Sequence, residues 1–597
     1  MRSGSDRFRG ARVASLALAG RTNGVRPYTG LSGTILAFTA YTRANRIILR
    51  ELNPFVLAIV CVGMVLASYF AEPQLNWIET KTGLLAQRKR LVVIGAAFAS
   101  ILGRLALLPW APVPIASVHD EFSYLLASDT FAHGRLANPS HPMWVFFDTF
   151  HVLQHPTYAS IYPPAQGAVL ALGQVLGHPW IGVLISTALM ASAIAWALQG
   201  WLPARWALLG TVLAILRVDL MSYWVDSYWG GAVAAAGGAL VIGAVARLAK
   251  RPTVGNSLLM GVGAALLANS RPVEGFLFCL GAGAILAVRL FLNSDFRWRE
   301  KWVSAFLPGT AVLLCTAMFM GYYNWRVTGS ALLFPHVLYH REYWQIPIFL
   351  WQKVHAFRTY DNPQFTHFFT VWSPAEFFLR PWCRVMQTRV HNTWSFFLGP
   401  AYTVALLGLP RAAVDRRTRS LVFLCGWCGI WALIIVWFEP HYVAGVTACL
   451  FAILVQSIRH LRQWRIGNFE MGKFCSRLIV VLAVARVATA GAEAVHPPTR
   501  TWNESKLLIE QRLLAAREKE LVLVRYKTGH EVANEWVENR ADIDHAKVVW
   551  ARVIPGRDLK PLLDYFHDRQ IWLLDADTAP VHIERYRPDL PSETPRP

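Results

Sequence analysis

Long apolar segments recur along this chain and constrain its fold more than any other feature. Between residues 91 and 494 about eleven runs follow one another, each close to the roughly 20 residues that cross the hydrocarbon core of a bilayer. Of the 597 residues, 54% are hydrophobic and only 16% are charged. This composition is typical of a polytopic membrane protein and not of a soluble globule. The pattern predicts an all-α membrane domain with about 10–13 transmembrane helices.

The predicted spans alternate with polar connections. The first, at 53–71, has basic residues on both flanks, so a re-entrant or interfacial placement is an alternative for it. The others are predicted near residues 91–109, 179–200, 203–221, 229–247, 255–270, 273–292, 303–323, 394–410, 419–438, 441–458 and 478–494.

Basic residues mark one side of the predicted membrane domain. The formal net charge is +21, but the cations come in short clusters between apolar runs, which argues against nucleic-acid binding and is typical of cytoplasmic loops. These clusters are Arg205; Arg247, Lys250 and Arg251; Arg297, Arg299 and Lys301; Arg411, Arg416, Arg417 and Arg419; and Arg459, Arg462 and Arg465. We therefore predict a multi-pass protein of the plasma (inner) membrane, with large loops 110–164 and 324–393 on the exoplasmic (periplasmic) side.

Composition divides the chain into three parts. Residues 1–50 are basic, rich in Gly, Ser and Arg, and without a clear period, which predicts a disordered segment. Residues 51–494 carry the membrane domain. From 495 to 597, short apolar runs alternate with a helical pattern, which predicts a small soluble α/β domain on the exoplasmic side. This part has no glycine-rich phosphate loop, so nothing in it indicates a nucleotide site.

The first large outward loop contains the acidic pair Asp120-Glu121. Prolines stop the preceding helix, and Asp120 then stands at the predicted N-cap of a helix from about Glu121 to His133, which ends at Gly134. The apolar face of this helix has the spacing of a helix that lies in the membrane interface. Capping and the helix dipole offer a structural explanation of both carboxylates, and a catalytic role at the lipid-water boundary is the alternative.

A second outward loop combines carboxylates with aromatic rings. Asp219 precedes, and Asp226 lies within, the string SYWVDSYWGG, which also contains Trp229. An interfacial belt of Trp and Tyr would explain the rings structurally. Sugars also stack on such rings, and a carboxylate beside them accepts sugar hydroxyls. We therefore predict that Asp219 or Asp226, together with Trp229, binds a sugar or an acceptor, and the spacing does not choose between the two.

Anion-binding candidates occur at junctions on the same outward face. Arg271 and Glu274 lie at a Pro-containing helix junction, where the Arg fork suits a phosphate and an interfacial Arg-Glu pair is the structural alternative. His441 and Tyr442 follow a second Glu-Pro junction, and Arg341 lies in the loop 324–393. His441 and Arg341 are predicted to contact the same phosphate or, alternatively, to cap helices.

These motifs resemble those of the GT-C membrane glycosyltransferases, especially the protein O-mannosyltransferase and aminoarabinose transferase type. The resemblance rests on the Asp-Glu pair within DEFSYLLASDTFAHG, the Arg-Pro-x-Glu-Gly junction at 271–275 and the late His441-Tyr442, and it covers about residues 90–460. The sequence departs from the family in two respects. Some 90 residues precede the span before the acidic pair, and the C-terminal α/β part is not in the common core.

The resemblance implies an enzyme that transfers a sugar from a polyprenyl-phosphate donor to an acceptor hydroxyl on the exoplasmic face, with inversion. Carried over to this chain, Asp120 would be the general base, Glu121 would assist acceptor or sugar binding, and Arg271 would hold the lipid phosphate. Such an inverting attack needs a base opposite the leaving group and cations that meet the phosphate charge. Glu274 and Tyr442 are predicted to line the sugar or acceptor site.

The sequence leaves the metal, the acceptor and two rival functions open. A divalent cation (Mg or Mn) held by Asp120, Glu121 and Asp226 is an alternative, although no DxD cluster argues for it. The acceptor is a protein, a lipid or a glycan. The rival function is that of a non-catalytic lipid or solute transporter, for which broken helices, repeats and midplane charges are typical. A membrane scaffold would leave Asp120 and Arg271 replaceable.

Overall fold

The computed structural model describes residues 54–292, 298–356, 358–378, 380–494 and 501–587. The predicted disordered segment 1–50 lies outside these ranges. Within them, the chain from Leu49 onward forms one compact unit.

Helices dominate the membrane part, as the apolar periodicity predicts. In chain order they are Pro54–Phe70, Glu72–Gln87, Lys89–Ala106, His119–Ala132, Pro164–Val175, Pro179–Trp201, Ala204–Ala214, Ala232–Leu248, Val254–Ala268, Pro272–Phe291, Trp298–Thr328, Pro335–Tyr343, Pro363–Thr366, Ser373–Phe378, Trp382–Phe397, Gly399–Thr403, Leu409–Val414, Arg419–Ala432, Thr447–Leu461 and Met471–Ala494. Short 3₁₀ turns cover Trp144–Phe146, Val404–Gly408 and Pro440–Val446, and π-helical turns cover Ile215–Asp219 and His367–Trp372.

Four helical segments in the described part are long and apolar enough to cross a membrane, or six if two bent pairs each count as one span. The four are Pro179–Trp201, Pro272–Phe291, Phe306–Thr328 and Pro440–Leu461. Shorter apolar helices occupy three of the other predicted spans, namely Ala232–Leu248, Val254–Ala268 and Arg419–Ile434. The predicted number of about 10–13 spans therefore stays a prediction that counts these shorter helices as well.

Two predicted spans are bent. The run at 394–410 is broken between Trp382–Phe397 and Gly399–Val414, which meet at 85°. The break lies at Gly399, whose φ of 57° only glycine adopts readily, and Pro400 follows with no N–H to continue the helix. The first run bends by 94° into the helix Glu72–Gln87, whose Glu72 and Glu79 pair with Arg477.

Small residues let the outward junctions approach the bundle closely. A side chain on Gly238 would place its Cβ 2.0 Å from the carbonyl oxygen of Gly445. The turn Pro440–Val446 therefore packs directly against the helix Ala232–Leu248. This contact fixes the position of His441 and Tyr442 relative to the bundle.

The loop that carries the acidic helix, His119–Ala132, forms a small folded layer. Its three short strands, β1 (Asn138–Pro139), β2 (Val152–Leu153) and β3 (Thr157–Ser160), form an antiparallel sheet in the order β1-β3-β2. The acidic helix is buried along most of its length. It is thus covered by protein and does not lie free in the membrane interface, contrary to the prediction from its apolar spacing.

The C-terminal part is an α/β domain, as predicted. Two helices, Trp502–Leu514 and Lys560–Tyr565, accompany β4 (Lys519–Arg525), β5 (Val548–Arg552), β6 (Arg569–Asp575) and β7 (His582–Arg585), in the sheet order β5-β4-β6-β7. The first three strands are parallel and β7 is antiparallel to β6. Apolar residues of β4, such as Leu521, share a core with Leu126 of the acidic helix. The domain therefore rests on the loop that carries Asp120.

Candidate active site

Asp120 lies in the first turn of the acidic helix and not at its N-cap. The helix begins at His119 with Val118 as the N-cap residue, two positions earlier than predicted. The Oδ1 atom of Asp120 accepts a hydrogen bond from the hydroxyl of Tyr162, whose ring stacks on Tyr124 at a centroid distance of 4.4 Å. Burial, together with the Asp120 carboxylate, raises the pKa of Tyr162, so this hydroxyl stays protonated and donates.

Glu121 holds two loops together. Its Oε2 atom accepts from the backbone N–H of Ser117 at 2.8 Å and of Val118 at 3.2 Å, and its Oε1 atom accepts from the N–H of Tyr228 at 3.0 Å. Glu121, and not Asp120 as predicted, therefore caps the start of the acidic helix, and it does so from the first turn. Burial raises the pKa of Glu121 to about 7, and the hydrogen bonds oppose that shift. The predicted role of Glu121 in sugar or acceptor binding stays a prediction.

Arg271 lies close to a tyrosine of the same region. It precedes the helix Pro272–Phe291, and its guanidinium stands 4.2 Å from the ring centroid of Tyr442. The charges of Arg271 and Asp120 both act on the hydroxyls of Tyr124 and Tyr442. Glu274, one helical turn after Arg271, interacts electrostatically with it. The Asp120 carboxylate and the Arg271 guanidinium therefore act on the same two tyrosine hydroxyls, those of Tyr124 and Tyr442.

A groove begins at Arg271, Glu274 and Tyr442. Apolar groups from the helices Pro272–Phe291 and Arg419–Ala432 continue it. Its remaining lining residues are Ala234, Leu267, Gly275, Leu277, Phe278, Cys428, Trp431, Ala432, Ile435, Val443, Gly445 and Val446. One end of the groove is thus charged and polar, while the rest is almost entirely apolar.

His441 and Trp229 lie together beside this end of the groove. The Nδ1 atom of His441 is 2.9 Å from the hydroxyl of Tyr223, and its ring lies 5.0 Å from that of Trp229. His441 also interacts electrostatically with Arg271. The structure therefore brings the predicted residues Arg271, His441, Tyr442 and Trp229 into one cluster.

Three predicted residues lie elsewhere. Asp226 forms a 2.8 Å ion pair with the fully buried Arg104, which fastens the second outward loop to the helix Lys89–Ala106. Asp219 is fully buried inside the helix bundle beside Ser100 and Thr187, which corrects its assignment to the outward loop.

Arg341 is exposed on the helix Pro335–Tyr343, whereas His336 of that helix interacts electrostatically with Asp120 and Arg271. Arg341 lies five positions after His336, so the two side chains point about 140° apart around the helix axis.

The carboxylates proposed as metal ligands do not converge in the described residues. Glu121 is engaged by backbone N–H groups, and Asp226 is paired with Arg104. Within the described ranges no group of three His, Cys, Asp or Glu side chains is arranged to hold a metal ion. A divalent cation held by Asp120, Glu121 and Asp226 stays an alternative that the arrangement of the described side chains does not favour.

Sequence reasoning missed Tyr162, His336 and His151, all of which lie close to Asp120. Burial lowers the pKa of His336 to about 4, so this imidazole is neutral near pH 7. Tyr162 precedes two prolines and a helix start, a position that holds a side chain in one direction. That local signal was available in the sequence, whereas the long-range contacts of the two histidines were not.

Comparison with protein-family models and with curated proteins gave no match. Among solved structures, the chain is similar to ArnT from Cupriavidus metallidurans bound to undecaprenyl phosphate, with 13% identity, coverage of 82% of this chain and 92% of that chain, and a TM-score of 0.46. It is also similar to the oligosaccharyltransferase of Archaeoglobus fulgidus tethered with an acceptor peptide, with 11% identity, coverage of 81% and 68%, and a TM-score of 0.40. Both are GT-C glycosyltransferases, the class that the sequence resembles.

Proposed function

We propose that this protein is a GT-C-type membrane glycosyltransferase that uses a polyprenyl-phosphate sugar. The observation that carries the proposal is the position of Arg271 at the polar end of an apolar groove, with the Asp120–Tyr162 pair near the shared tyrosines. A polyprenyl phosphate has the matching chemistry, because a long apolar chain ends in an anionic group. An Arg fork suits that anion.

The proposed chemistry divides between the two charged residues. Arg271 binds the phosphate and stabilises the negative charge that develops on it as the anomeric carbon–oxygen bond breaks. The acceptor hydroxyl forms the new bond to that carbon from the opposite side, which inverts its configuration, and Asp120 takes the hydroxyl proton. The Tyr162 hydroxyl orients the Asp120 carboxylate through the hydrogen bond between them.

The proposed location is the exoplasmic face. In the sequence, the basic clusters fall in the connections at the other ends of the apolar runs, a pattern typical of cytoplasmic loops that supports this orientation. The C-terminal domain packs on the loop that carries Asp120, so both belong to one side of the membrane. We place that side in the periplasm or its equivalent, which excludes a cytosolic sugar nucleotide as the direct donor.

The test is sugar transfer by the full chain reconstituted in lipid, with radiolabelled polyprenyl-phosphate sugars and native envelope material as the acceptor. Asp120→Asn keeps the side-chain volume but removes the base, so transfer should fall by about 100-fold or more. Asp129→Asn is the matched control. Asp129 lies on the same helix but contacts Ala541 and Gln174, and its variant should keep most of the transfer.

Equal transfer by wild type and Asp120→Asn would remove the base assignment. Movement of lipid across the vesicle membrane, with no sugar transferred by the wild type, would favour the transporter instead.

A further inference from the structure

His151 has a backbone conformation that is uncommon for residues other than glycine. Its φ is 60°, in the left-handed region that favours glycine, and it is the non-glycine residue with positive φ among the described residues. Both sides of its peptide backbone are fixed. Its N–H donates to the Tyr339 hydroxyl at 3.0 Å, and its carbonyl accepts from the Ser123 hydroxyl at 2.6 Å. These two hydrogen bonds therefore hold His151 in the left-handed conformation, and such conformations often occur at functional sites.

This conformation places the imidazole in the middle of the candidate site. Its ring lies 6.0 Å from that of Tyr162 and 5.8 Å from that of His119. It interacts electrostatically with Asp120 and with His336. The ring therefore lies near Tyr162, whose hydroxyl donates to the carboxylate proposed as the base.

The imidazole also has an unused hydrogen-bonding atom. Its Nδ1 is buried and finds no hydrogen-bond partner in the described part of the chain. A buried polar atom without a partner is costly and rare in native structures. Burial lowers the pKa of His151, so its ring is neutral near pH 7 and offers one N–H and one lone pair.

We propose that His151 binds a substrate hydroxyl next to Asp120 and is a specificity-determining residue of the transfer reaction. A hydroxyl both donates and accepts, so it satisfies a neutral imidazole without introducing charge beside the base. The hydroxyl belongs to the acceptor or to the donor sugar, and the experiment below separates these two sources. This inference rests on the proposed glycosyl transfer and deepens it.

The decisive variant is His151→Gly. Glycine adopts a φ of 60° without strain, so the variant should melt at or above the temperature of the wild type. Loss of one hydrogen bond to a neutral hydroxyl should lower kcat/KM by about three- to tenfold, through a higher KM for only one of the two substrates. A higher acceptor KM assigns the hydroxyl to the acceptor, and a higher donor KM assigns it to the sugar.

Added imidazole should restore part of the activity of His151→Gly, because the cavity left by the ring can take it up. His151→Asn should keep more activity than the glycine variant, since Asn tolerates the left-handed region and retains a hydrogen-bonding group. Tyr162→Phe should lose activity without rescue by imidazole. His133→Gly, which changes an exposed residue at the end of the acidic helix, should transfer like the wild type.

Three results would overturn the inference. His151→Gly with wild-type KM values for both substrates would mean that the ring touches no substrate. A large fall in its melting temperature would mean that the ring serves packing. Absence of transfer by the wild type itself would instead reject the proposed function, on which the role of His151 depends.

Discussion

Replacement of Arg271 by Lys gives the sharpest test of the phosphate assignment. Arg271 and Arg289 lie at opposite ends of the helix Pro272–Phe291, and each stacks on an aromatic ring, at 4.2 Å from Tyr442 and 4.3 Å from Trp201. The same substitution at both positions therefore keeps the charge and removes the same fork. Only Arg271 opens onto the groove.

The expected rise in the donor KM of Arg271→Lys follows from the loss of one hydrogen bond to the phosphate. A guanidinium makes two parallel bonds to a phosphate, whereas an ammonium acts as a point charge. Loss of one bond to a charged group costs about 1.5–3 kcal/mol, which corresponds to a fall in affinity of about 10- to 150-fold. We expect Arg271→Lys to raise the donor KM by that factor and to leave the acceptor KM unchanged.

The assay is initial-rate sugar transfer by reconstituted protein over a range of donor concentrations, with melting temperatures measured in parallel. Arg289→Lys should have a donor KM within about twofold of the wild type, since its guanidinium donates to Ser420 and not to the groove. A donor KM for Arg271→Lys that matches the wild type would refute the assignment. An equal rise in both variants would point to a general effect of the helix.

Three further predictions concern stability. Glu121→Gln turns an amide towards backbone N–H donors, so the free energy of unfolding should fall by about 1–3 kcal/mol. Unchanged thermal stability would contradict the role of Glu121 in holding the two loops together. Arg552→Met leaves Glu535 buried without its 2.6 Å partner and should destabilise the C-terminal domain by about 3–5 kcal/mol, which limited proteolysis would detect; resistance equal to that of the wild type would reject this. Burial lowers the pKa of His119 to about 4, so unfolded chains bind its proton first, and stability should fall as the pH drops from about 6.5 to about 4. Between pH 7.5 and 4.5, the wild type should lose about 3 kcal/mol more of its free energy of unfolding than His119→Gln does. An equal loss in the two proteins, measured by thermal unfolding at both pH values, would contradict this prediction.

The sequence predicts those features that depend on local pattern. Apolar runs of bilayer length give the positions of most helices, and Gly134 ends the acidic helix with a φ of 71°, as its place in the sequence indicates. The alternation after 495 gives the α/β character of the C-terminal domain. Local signals also misled in one detail, because Glu121 caps the helix through Ser117 and Val118 and so moves its start before Asp120.

The rest of the site depends on contacts between residues far apart in the chain. From the sequence, Asp226 is predicted to bind a sugar. The structure shows instead that it pairs with Arg104, which lies 122 positions away in the chain. His151 has no motif of its own, and its importance follows from its left-handed backbone conformation and from Tyr339, 188 positions away. Periodicity and capping rules do not reach such pairs, because only tertiary packing brings them together.

We propose that the groove below Arg271 binds the lipid chain of a polyprenyl phosphate. The most direct measurement is photocrosslinking of the reconstituted wild type with a diazirine-bearing polyprenyl phosphate, followed by mapping of the labelled peptides. We expect labels on groove residues such as Cys428, Trp431 and Ile435. Unlabelled polyprenyl phosphate should compete with the probe and reduce this labelling, whereas polyprenol, which lacks the anion, should not. Labels concentrated on lipid-facing residues such as Phe276 and Leu280, or equal displacement by polyprenol, would contradict this proposal.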